Sequence, residues 1–119
     1  MVTVNDDLYT EYILRGNRDY DAFLLFTNIG NRYHCTLCPY FSHSFLINSA
    51  ANREFAMVAK AYSKLAEKAE HDILFIRVPI DTSTKVFQYH GITSAPILTY
   101  LSKDEVLGKK VLLVFLNHD

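Results

Sequence analysis

The 119-residue chain carries 12 basic and 13 acidic side chains, a formal charge of −1, and half of its residues are hydrophobic. That length fits one ordinary domain with a packed core, in no need of several disulfides or a structural metal. The scattered basic residues exclude the electrostatic footprint of a nucleic-acid binder, and no stretch approaches the roughly 18 apolar residues of a membrane-spanning helix.

The opening Met1-Val2-Thr3-Val4 lacks the basic and apolar regions of a signal peptide, which fits either a cytosolic protein or a mature fragment carrying an added methionine. Val2 to Val4 is a short β-branched run. Asn5-Asp6-Asp7 then supplies capping oxygens before Leu8, Tyr9, Tyr12, Ile13 and Leu14, whose spacing is helical. Gly16 ends that helix, and Tyr20 to Thr27 reads as a buried strand at the centre of a sheet. A turn-rich loop, Asn28 to Arg32, leads on to Cys35.

After Pro39 the segment to Lys68 has neither glycine nor proline, and Phe45, Phe55, Val58, Ala59, Tyr62 and Leu65 recur at helical spacing. Asn48-Ser49-Ala50-Ala51-Asn52 is expected to break or kink this helix, because Asn and Ser compete for backbone hydrogen bonds. Ile73 to Val78 is a strand, Asp81-Thr82-Ser83 a cap, and Lys85 to Tyr89 a short helix closed by Gly91. Ser94-Ala95-Pro96 leads into a strand from Ile97 to Leu101, and Val111 to Leu116 closes an antiparallel hairpin after a turn containing Gly108. The alternation gives an α/β sandwich, a central mixed β-sheet flanked by helices, in a single domain over 1–119.

The chemistry lies at Cys35-Thr36-Leu37-Cys38, the only two cysteines of the chain. They are too close in sequence to staple distant segments, which points to redox or metal chemistry. The positive end of a helix lowers a thiol pKa, and the first turn brings the second thiol near the first, so Cys35 is read as the attacking thiol and Cys38 as the resolving one. Pro39 suits a helix start. Three other readings stay open: a metal site drawing on His34 and His43, a local structural disulfide, or two inert thiols. Covalent haem is excluded, since Pro39 stands where a histidine is required. No other cofactor motif is found.

Pro96 is either an ordinary strand-entry proline or a cis proline in a tight turn. The carboxylates Asp6, Asp7, Asp19, Asp21 and Asp81 read as caps or solvated positions, and His90 as a helix-end residue where a cation is mildly favoured.

With Cys35-Thr36-Leu37-Cys38 at a strand-to-helix junction and Ser94-Ala95-Pro96 before a later strand, nearly the whole chain resembles the thioredoxin superfamily. Phe26-Thr27, the long loop to Cys35, Val78-Pro79-Ile80-Asp81, Val86-Phe87-Gln88 and Thr93-Ser94-Ala95-Pro96 resemble the thioredoxin-like subunits of the eukaryotic oligosaccharyltransferase complex. The resemblance implies a thioredoxin-like three-layer sandwich in the lumen of the endoplasmic reticulum, anchored through a membrane portion absent from this sequence. It implies Cys35 and Cys38 as the redox pair, with Thr36, Leu37, Ala95 and a cis Pro96 contacting substrate. It further implies nascent polypeptides and other oligosaccharyltransferase subunits as partners, held through non-covalent contacts and transient mixed disulfides to aid N-glycosylation. A general thiol-disulfide oxidoreductase and a peptide-binding module with a structural disulfide are the alternatives. The chain departs from thioredoxin itself in having no tryptophan before Cys35 and no acidic residue near the end of the buried strand, and the family's closing helix is missing, replaced or cut away after Leu116.

Overall fold

The computed structural model describes residues 1–15, 18–28, 45–65, 73–103 and 114–115. Its five strands are β1 (Val2–Thr3), β2 (Asp21–Thr27), β3 (Ile73–Pro79), β4 (Ile97–Leu101) and β5 (Val114–Phe115). They form one mixed sheet in the order β1-β3-β2-β4-β5. β3 runs parallel to both β1 and β2, whereas β4 runs antiparallel to β2 and to β5. The expected central strand is therefore β2, and the closing hairpin is present as Ile97 opposite Phe115 and Leu98 opposite Val114. Residues 111–113 and 116 of the expected last strand lie outside the described residues, as do Gly16, Gly108 and 29–44.

Side chains alternate across a strand, so β2 supplies both faces of the sheet. Ala22, Leu24 and Phe26 point to one core with Ile76, Val78, Ile97 and Leu101. That core is closed by Tyr9 and Ile13 from the first helical segment and by Val86 and Phe87 from α3 (Thr84–His90). The other face packs Phe23, Leu25, Phe75 and Leu98 against Ala51, Phe55, Ala59 and Tyr62 of α2 (Phe45–Leu65). These are helix, sheet and helix, the three layers expected for an α/β sandwich. Among the described residues no helix is long and apolar enough to cross a membrane.

The first helical segment begins as α1 (Asp6–Tyr9), where Asn5 caps as expected by accepting the Leu8 N–H at 2.8 Å. It continues as a π-helical turn, Thr10–Leu14. Backbone carbonyls of this turn find side-chain donors: the Tyr20 hydroxyl donates to Tyr12 O at 2.6 Å and the Arg18 guanidinium to Ile13 O at 2.8 Å. Gly91 closes α3 in the left-handed conformation, φ 67°, which needs no Cβ.

Two readings from sequence require correction. No break occurs at 48–52: α2 runs unbroken from Phe45 to Leu65, because Asn48 and Asn52 lie on its inward stripe and bond to the sheet. Asp81-Thr82-Ser83 is not the side-chain cap of α3. The Ser83 hydroxyl donates to Val4 O at 3.3 Å, while the cap comes from the far end of the chain, where Asp6 Oδ1 accepts the Val86 N–H at 3.0 Å. His90 ends α3 as expected and is only 3 % exposed, packed beneath β2.

Candidate functional site

The C-terminal end of β2 is where the sheet changes sense. Thr27 pairs with Pro79 of the parallel neighbour, and Phe26 pairs with Ile97 of the antiparallel one. The Ile80 N–H donates to Thr27 O at 2.9 Å, extending the parallel ladder one step past the strand. Ala95 and Pro96 are buried immediately before β4, at this same end of the sheet, and the bond between them is cis. In the sequence Cys35 follows Thr27 by eight positions. Cys35, Thr36, Leu37 and Cys38 lie outside the described residues, as do His34, Pro39 and His43. Of the six residues expected to form the site, the structure therefore describes Ala95 and Pro96. Among the described residues no cluster of three His, Cys, Asp or Glu side chains could hold a metal ion.

The strand end is tied to α2 by polar side chains that sequence reasoning missed. Thr27 is fully buried on the α2 face of β2, and Asn48 is 2 % exposed beneath it. The Asn48 Oδ1 accepts both the Thr27 hydroxyl at 3.2 Å and the Asn28 backbone N–H at 2.9 Å. Asn52 Nδ2 donates to Thr27 Oγ1 at 2.6 Å and to the Asn48 carbonyl at 2.8 Å. Arg77 Nη1 reaches Asn52 Oδ1 at 3.4 Å, and its Nε donates to Thr3 Oγ1 at 3.1 Å on β1. A buried polar group without a partner costs about 1–3 kcal/mol, so the partners found here make this burial possible. The signal was present in the sequence: Asn48 and Asn52 are four apart, in register with Ala51, Phe55 and Ala59, a spacing that turns both toward the sheet.

Beneath the opposite face of β2 lies a second polar pair. The Tyr9 hydroxyl and His90 Nε2 are 2.8 Å apart, with the Phe26 ring 6.2 Å from His90 and 6.4 Å from Tyr9. Burial pushes the Tyr9 phenol well above its ordinary value, partly offset by the Arg18 cation. Neither nitrogen of His90 was legible as buried, since a histidine before glycine reads as a helix terminus.

The sequence model of a family described as "OST3 / OST6 family, transporter family" matches residues 1–111. A search of curated proteins finds no match. Among solved structures, human ERp44 form I overlays at a TM-score of 0.50 with 16% identity, covering 92% of this chain and 26% of that one. The zinc-bound form of human ERp44 overlays at 0.49 with 18% identity, covering 90% of this chain and 24% of that one. The chain thus spans about a quarter of the length of the structures it matches. At such identity the first overlay speaks to fold alone, and the fold is thioredoxin-like.

Proposed function

The chain belongs to the OST3/OST6 family, and on that premise we propose that it is a redox-active, peptide-binding domain of an accessory oligosaccharyltransferase subunit. It works in the lumen of the endoplasmic reticulum, its parent chain anchored in the membrane, with glycosyl transfer left to another subunit. Its partners are nascent polypeptides and the other subunits of the complex. The observation that supports this reading best is the order of the chain. Cys35-Thr36-Leu37-Cys38 is the stretch that begins eight positions after a central strand whose C-terminal end is flanked by Pro79 and Ala95-Pro96.

The exchange needs no external oxidant when the pair starts as a disulfide. A cysteine thiolate of the polypeptide attacks Cys35 Sγ, the Cys35–Cys38 bond breaks, and Cys38 leaves as its thiolate. The polypeptide is then held through Cys35 while residues around the thiols make non-covalent contacts, among them Thr36, Leu37, Ala95 and Pro96. Attack of the Cys38 thiolate on Cys35 Sγ expels the polypeptide thiolate and restores the disulfide, so electrons balance over the cycle.

The test uses Cys38→Ala and a peptide whose cysteine is activated as a mixed disulfide with nitrothiobenzoate. The Cys35 thiolate attacks the peptide sulfur, nitrothiobenzoate leaves with the electron pair, and an adduct accumulates that the variant cannot resolve. The wild-type chain passes through the same adduct and releases the peptide as Cys38 closes the disulfide. No adduct in Cys38→Ala under conditions where free glutathione reacts would sink the capture mechanism.

A further inference from the structure

We draw no further inference here: the strongest candidate, the apolar surface crevice between α2 and β4 lined by Phe23, Phe55, Val58, Phe75 and Leu98 among the described residues, carries none because nothing in the structure shows what covers it.

Discussion

The Tyr9 hydroxyl and His90 Nε2 meet at 2.8 Å across 81 positions of sequence, joining the first helical segment to the end of α3 beneath the sheet. Tyr9→Phe removes that hydroxyl, and with it a hydrogen-bond partner of His90, in a site already packed by Phe26 and Tyr89. The expected loss is about 1–3 kcal/mol, read as a shift of the urea midpoint at neutral pH. A change within error would mean that a water replaces the hydroxyl.

The same phenol gives a pH signature. Burial raises its pKa in the folded protein, so the folded state holds the proton more tightly than the unfolded chain. The associated stability is complete below the ordinary phenol value of 10.0 and is lost progressively as pH rises above it. Urea midpoints measured from pH 8 to 11 should fall in the alkaline limb for the parent and fall less for Tyr9→Phe. Tyr20, shifted in the same direction chiefly by burial, contributes a smaller decline that both proteins share.

Asp6 is the cap of a helix that begins almost eighty residues later, through Val86 N–H to Oδ1 at 3.0 Å. Asp6→Ala is expected to destabilise by about 0.5–2 kcal/mol, as loss of a cap oxygen does. Asp6→Asn keeps an acceptor oxygen in the same place and should recover most of that. Equal losses in the two variants, by chemical denaturation, would show that charge rather than the hydrogen bond carries the effect.

Gly91 takes φ 67°, and no atom lies within 4 Å of where a Cβ would be built. Any penalty for Gly91→Ala is therefore a backbone one, about 1–2 kcal/mol. Gly91→Asn should cost less, since asparagine visits this region more readily. Thermal melts of the two variants would check the ranking.

Phe75 stacks against Phe23 at 5.3 Å and meets Phe55 at 5.4 Å and Tyr62 at 5.7 Å, so one ring links two strands to α2. Phe75→Ala should cost about 3–5 kcal/mol. Hydrogen exchange should quicken in α2 more than in α3, which packs on the other face.

Most of the scaffold was legible because the apolar patterns were unambiguous. The run from Tyr20 to Thr27 had to be a central strand, and Gly91 had to end a helix, for local reasons that the tertiary structure did not override. What escaped was every polar group whose partner is remote in sequence. Asn48 and Asn52 read as helix breakers because their partner Thr27, donor to the first and acceptor from the second, is 21 and 25 positions away. His90 read only as a helix-end residue because its partner, Tyr9, is 81 positions away. Ser83 looked like a cap because the carboxylate that does the capping belongs to Asp6. At the candidate site itself, Cys35 and Cys38 lie outside the described residues, whereas Asn48 and Asn52 carried a signal in their spacing whose partner, Thr27, emerged once β2 and α2 were placed face to face.

The strand order has a consequence for a chain as it is being made. β1 and β2 come first, yet they never touch, because β3 is inserted between them. A chain that has emerged as far as Leu65 therefore contains no strand pair between its described strands, and every ladder of the sheet waits for residues beyond Ile73. Such non-local pairing closes late and slowly. Cys35 and Cys38 are thus synthesised before any of those ladders can form, and before Pro96 has been made.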